Sequence, residues 1–325
     1  MRLIGTGASG IRAQQQALDI VANNLANVNT IGFKANRANF AATLATLTSP
    51  GNLSIGTSVT EALNIGAGAY LNGVGTDFSQ GSVSQTDNVW DLSIQGDGFF
   101  HVTTPDGETA YTRAGSFKPD AQGQLVDDAG NFLAVRIPQQ TTNITVSPNG
   151  EITGTLLGKL MVFGNIGQTS QNGQAPYKPL GPFNVDNSGQ LVDGNGYLPS
   201  TIILVPRDAT EVSISTDGEI KGLVQGKSQV FGQLTLAGFS NQEGLNKAGD
   251  NLFKASANSG NLEVSIPGQN LGKVGKVSSN TLEQSNVDLA TSMTDLIQVQ
   301  RAYQMNSRMI KDGDKMWELA NSMRR

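Results

Sequence analysis

Two apolar seams with a seven-residue period sit at opposite ends of this chain. Near the start, Ile4, Ile11, Leu18 and Leu25 recur at that spacing, with Val21 and Val28 between them. Near the end, Leu282, Leu289, Leu296, Tyr303, Ile310 and Trp317 do the same, and Met293 joins them. Met309 and Met316 run one residue ahead of the last two, and Met323 continues that stripe. A sustained heptad marks a helix whose narrow stripe packs on another helix. The sequence between the seams has almost no helical periodicity, so two helices alone would make a thin core. Burial against other copies is the expected completion, which points to an assembly subunit.

The first helix is expected from about Thr6 to Asn27. Gly5, Gly7 and Gly10 weaken its early turns by about 1 kcal/mol each relative to alanine. Asn27, Asn29 and Thr30 discourage continuation, Gly32 can supply a left-handed cap, and Phe33 an anchor beyond it. Residues 36–48 read as a brief helical extension before Pro50, and 51–81 as an extended polar connector. In the C-terminal helix, Gly313 weighs against the last two turns.

The middle is read as all-β. Short β-prone runs alternate with Gln95-Gly96-Asp97-Gly98, Pro105-Asp106-Gly107, Pro148-Asn149-Gly150 and Asp217-Gly218. It also contains a duplication. Residues 115–164 resemble residues 181–232, at an offset of 66 that becomes 68 after a two-residue insertion. The copies share Phe117/Phe183, Asp120/Asp186, two GQLVD strings, Pro138/Pro206, Gly150-Glu151-Ile152/Gly218-Glu219-Ile220 and Val162-Phe163-Gly164/Val230-Phe231-Gly232. Two copies are too few for a solenoid. The expected fold is therefore mainly β with α-helical ends that pair as a coiled coil, and tandem sandwich- or barrel-like β-units between them. The boundaries are 1–35 with 282–325 for the assembly domain and 36–92 for the connector. The first β-rich domain takes 93–164 with 233–281, and the duplicated unit takes 165–232.

Chemical motifs are scarce. Gly5-Thr6-Gly7-Ala8-Ser9-Gly10 fits a dinucleotide fingerprint, but it lacks the preceding strand and the acid about 20 residues on that the mechanism requires. His101 is the only histidine, and on a strand it reads as structural. The loops DAQGQLVDDAG and DNSGQLVDGNG lack the alternating acids of a calcium loop, and Asn131 and Tyr197 stand where the bidentate glutamate belongs. They read as hairpin turns. No general acid, base, nucleophile or metal set emerges, so no catalytic residue, cofactor or metal is assigned and an enzyme is not expected.

Composition narrows the partners. Charged residues are 15% of the chain against roughly 25% in typical domains, which leaves a weakly charged surface suited to packing against copies of itself. A net charge of −5 gives no basic footprint for nucleic acid. No apolar run reaches the ~20 residues of a membrane span, and no cleaved secretory signal is visible. Export would need another route. A coiled-coil-ended adhesin is the reading from a different class, and it would call for a signal peptide or an exposed aromatic patch.

The segment Ala22–Lys34, with Asn23, Asn24, Asn27, Gly32 and Phe33, resembles the N-terminal signature of bacterial flagellar rod and hook proteins. Three more segments agree in family order: Gly96-Asp97-Gly98-Phe99-Phe100, Tyr111–Phe117, and Ser285–Leu289 followed by Ile297–Tyr303 with its Arg301. The rod type is the nearer likeness and the hook type the alternative. The rod type carries one β-unit where this chain has two. The resemblance implies a torque-transmitting helical homopolymer that conducts exported protein and lies in the basal body. It implies as partners other rod and hook proteins, the export apparatus and bushing rings. The self-assembly residues would be Ile4, Ile11, Leu18, Val21, Leu25, Leu289, Met293, Leu296, Tyr303, Ile310 and Trp317.

Overall fold

A computed structural model describes residues 2–43, 46–48, 63–65, 68–147, 150–166, 183–192, 201–269 and 274–323. Pro50, Pro148, Asn149, Tyr197 and much of the expected connector lie outside the described residues, as does the side chain of Ile4. The chain forms two compact units. The first takes residues 1–28, 35–77 and 287–325; the second takes 29–34 and 78–286.

The first unit holds both helices. Helix α1 (Arg2–Ala26) and helix α2 (Leu289–Ser322) pack on each other. They run antiparallel, since Gly7 lies against Ile310 and Gly10 against Asn306. Asp288 caps α2 by accepting a 2.6 Å hydrogen bond from the Thr291 amide, which satisfies one of the orphan donors of a helix start. Gly313 does not end the helix; it is buried within it.

Residues 36–42 are not helical. Asn36–Ala42 forms an antiparallel ribbon with Ala69–Thr76, in register from Asn36↔Thr76 to Ala42↔Ala69 with one bulge. Strand pairing overrides the helix propensity of its alanines. The 51–81 stretch is likewise not a structureless connector where it is described, because Leu63–Ile65 and Ala69–Thr76 are strands. Two strands alone are marginal in water, and α1 packs against this pair.

The second unit is β throughout. Its largest sheet runs through Phe99–Thr103, flanked by Thr109–Thr112, Phe132–Leu133 and Leu236–Phe239. The duplication is visible as geometry. Strands Thr142–Val146, Glu151–Leu156 and Lys159–Ile166 pair as do Thr210–Ile214, Glu219–Val224 and Lys227–Gln233. Even the irregularities coincide, with register shifts between Ile152/Thr153 and Ile220/Lys221. The copies nevertheless share one apolar core. Ile137, Ile152 and Phe163 belong to the same buried cluster as Leu191, Ile203, Ile220 and Phe231, together with Leu92, Phe100 and Val277 of the frame.

Leu282 is not on the C-terminal helix. It lies buried in the strand Thr281–Glu283, paired with Val83–Gln85. Its place in the heptad is a coincidence of spacing, because the helix begins only at Leu289.

Candidate functional site

Within the helical unit, α1 approaches α2 closely at Gly7 and Gly10. Gly7, Ala13, Ala17 and Asn24 are the buried positions of α1, while Ile11, Leu18, Val21 and Leu25 stay half-exposed. A Cβ on Gly7 would stand 2.9 Å from Ile310 Cγ1, and one on Gly10 would stand 2.8 Å from Asn306 Nδ2. These glycines allow the helices to approach closely, so the GxGxxG string is packing and not a phosphate cradle. Asn24 grips the ribbon by its backbone: its Nδ2 donates to the Asn36 carbonyl and its Oδ1 accepts from the Asn36 amide, both at 2.8 Å. Asn23 is exposed, and the side-chain amide of Asn27 donates to its carbonyl at 2.9 Å.

On α2, Leu296 and Ile310 of the heptad seam are half-buried, whereas Leu289, Met293, Tyr303 and Trp317 are exposed, as is Arg301. Leu289, Met293 and Ile297 follow each other at four-residue steps and so form one stripe. Met305, Met309, Met316 and Met323 form another. With 34 residues to the 25 of α1, α2 is also the longer rod, about 51 Å against about 37 Å.

The β unit contains a buried ionic clasp that the sequence reading missed. Lys34, Arg113 and Glu283 are all essentially inaccessible to solvent. Glu283 Oε1 accepts from Lys34 Nζ at 2.6 Å and from the Gly81 amide at 3.0 Å, and its Oε2 accepts from Arg113 Nη1 at 3.3 Å. Lys34 Nζ donates also to the Ser79 carbonyl at 2.8 Å. Burial lowers the affinity of the Arg113 guanidinium for its proton, and the carboxylates of Glu283 and Asp97 oppose that. The same guanidinium lies 5.2 Å from the centre of the Phe99 ring.

The backbone around this clasp explains several motif residues. Gly32 takes φ +67°, donates its amide to the Glu283 carbonyl at 2.8 Å, and lies so close to Ala114 that a Cβ would stand 2.5 Å from the Ala114 nitrogen. Only glycine meets both demands. Phe33 is buried, with Lys247 Nζ 5.5 Å from its ring centre. Gly96 and Gly98 both take positive φ on entry to the next strand, where Phe99 joins an aromatic cluster with Phe78, Phe239 and Phe253. Phe100 points the other way and meets Phe117 edge-on at 5.4 Å.

The remaining polar features are structural. His101 is fully buried beside Tyr111, and burial together with the nearby Arg136 charge pushes its pKa down to about 3, so it stays neutral. The loops that faintly match calcium sites are closed by their own aspartates. Asp120 accepts from the amides of Gln122 and Gln124, and Asp186 from those of Ser188 and Gln190, all at 2.8 Å. Among the described residues, no cluster of three or more acidic or histidine side chains could hold a metal ion, and no helix is long and apolar enough to cross a membrane.

A β body between two mutually packed terminal helices, with an apolar helix surface as its main unspent feature, defines a structural subunit. Three family models cover much of the chain. Residues 4–34 match the flagella basal body rod protein, 93–154 and 166–222 the D1 domain of flagellar hook protein FlgE/F/G, and 278–323 the C-terminal part of the flagellar basal body rod FlgEFG protein. Two flagellar basal-body rod proteins FlgG, from Caulobacter vibrioides and Bacillus subtilis, are each 32% identical over the whole of both chains. The flagellar hook protein FlgE of Brucella suis is 26% identical over 99% of both. The chain belongs to the FlgE/F/G family of flagellar basal-body rod and hook proteins. Within it, the chain is a FlgG-like structural subunit of the basal-body rod, and not an enzyme.

Proposed function

We propose that copies of this chain polymerise through the faces of α1 and α2 into an open helical tube that transmits torque and conducts exported protein. Its partners are then further copies, other rod and hook proteins at the tube ends, the export apparatus and the surrounding rings. The exposed apolar stripes of α2 carry this reading. Nine large apolar residues of α2, from Leu289 to Leu319, and Met323 at its C-cap remain exposed in a single chain, and exposed apolar surface on that scale marks an interaction site. Contacts that repeat head to tail without closing give filaments.

Leu289→Asp tests it. Leu289 is exposed in the isolated chain, so the variant should unfold at the wild-type temperature. A carboxylate buried without a partner at a subunit contact costs several kcal/mol, so tubes should no longer form in electron micrographs. Normal tubes from this variant would show that the stripe faces water and would refute the proposal.

A further inference from the structure

The two duplicated hairpins fold alike but end differently. Copy one turns at Leu157-Gly158 and copy two at Gln225-Gly226, each pair with positive φ at both residues. Such a turn favours asparagine and glycine, and a leucine there is unusual. Copy two places polar Gln225 and Ser228 at its tip. Copy one places Leu157 and Leu160 there, 68% and 69% exposed. Both apolar side chains are exposed, one of them from a disfavoured backbone conformation.

The same unit carries a hollow of about 190 Å³ with a mixed lining, in which Leu262, Val264 and Ile266 stand beside Gln139, Gln140, Asn187 and Glu263. That is smaller than the ~300 Å³ at which small-molecule sites begin, so it suits side chains better than a cofactor. Among the described residues, its strand Leu262–Ser265 is paired on one side only, by Leu236–Phe239. Lys159 sits between the two tip leucines, and neither it nor Glu263 forms an ion pair among the described residues.

We propose that the 157–160 tip of one copy seats in this hollow of a second copy, with Leu157 and Leu160 against Leu262, Val264 and Ile266 and Lys159 against Glu263. The proposal rests on the reading of the chain as a polymer subunit, and it adds a contact in the β body to those of the helices. A second copy is the occupant because both halves of the match, apolar and charged, stand on this one surface.

The chain has no cysteine, so a Leu160→Cys chain mixed with a Glu263→Cys chain reports this contact directly. A disulfide between the two different chains under mild oxidation is expected, and its absence would overturn the proposal whether or not tubes form. The second arm measures the critical concentration for assembly. Lys159→Glu and Glu263→Lys should each raise it tenfold or more, and the double reversal should bring it back towards wild type. Leu157→Gln with Leu160→Ser, which copies the tip of the second hairpin, should raise it as well. Wild-type assembly by all of these variants would discard the tip contact and leave the helix-mediated tube intact. Failure of the unaltered chain to assemble would count against the tube itself.

Discussion

Replacing Glu283 by glutamine is the sharpest test of how the β body holds the chain segments that lead into its two helices. The change is nearly isosteric but removes the carboxylate charge that bridges two buried cations. The Gln Oε1 could still accept from Lys34. Its amide nitrogen would then point at Arg113 Nη1, a donor against a donor, at a position now 3.3 Å from the carboxylate. Leaving a buried ion without its partner costs about 3–5 kcal/mol, a large part of the roughly 5–15 kcal/mol that stabilises a domain. Lys34→Met should cost less, because Arg113 and the Gly81 amide would still hold Glu283. The double variant should recover at least 1 kcal/mol relative to the sum of the singles, as expected for directly coupled residues. The assay is urea unfolding of the full chain, followed by Trp90, which packs half-buried against the core. Trp317→Phe removes the second of the two tryptophans. If Glu283→Gln costs under about 1 kcal/mol, or if the two single effects simply add, the clasp is not the structural tie described above.

The glycines of α1 make a paired prediction: Gly5→Ala, where nothing lies within 4 Å, should stabilise the helix by up to about 1 kcal/mol, whereas Gly7→Ala should gain nothing or lose stability against Ile310; helical circular dichroism against temperature reads both. His101 should give the β body an acid sensitivity. Its folded pKa of about 3 lies below the ordinary 6.5, so its contribution is intact above pH 6.5 and falls by about 1.4 kcal/mol per pH unit as pH drops towards 3, and His101→Phe should remove that slope from the unfolding free energy. Excising Asn165–Phe231 should abolish the near-ultraviolet circular dichroism of the β body, because Leu191, Ile203, Ile220 and Phe231 belong to the core shared by both repeats; a folded deletion product would show that the repeats are separable.

What was legible in the sequence was local. The duplication and its hairpins could be read because their turns are written in short strings, with aspartate, glycine and serine at fixed offsets. The helices were legible from their period. The ribbon was not, because the run from Asn36 to Ala42 is alanine-rich and only its pairing with a distant strand makes it extended. The close face of α1 was missed for another reason: a search for large apolar residues passes over Gly7 and Gly10, although close approach selects small ones. Lys34 and Arg113 fell within recognised motifs, but nothing adjacent in sequence signals that Glu283 will meet them.

That last separation has a consequence for how the chain comes to its final state. Lys34 and Glu283 are 249 residues apart in sequence, while each duplicated hairpin closes within a few residues of its own turn. Loops close more slowly and at greater entropic cost as they lengthen, and contacts of high sequence separation form late. The clasp is therefore among the last contacts to form, after the sheets between its ends. Until then the segments leading into α1 and α2 stay unpinned, and the Gly32 and Gly81 amides should be among the last to gain protection from hydrogen exchange. The chain would thus complete its sheets first and pin residues 29–34 to residues 281–283 afterwards, an order of events written into the distance between one lysine and one glutamate.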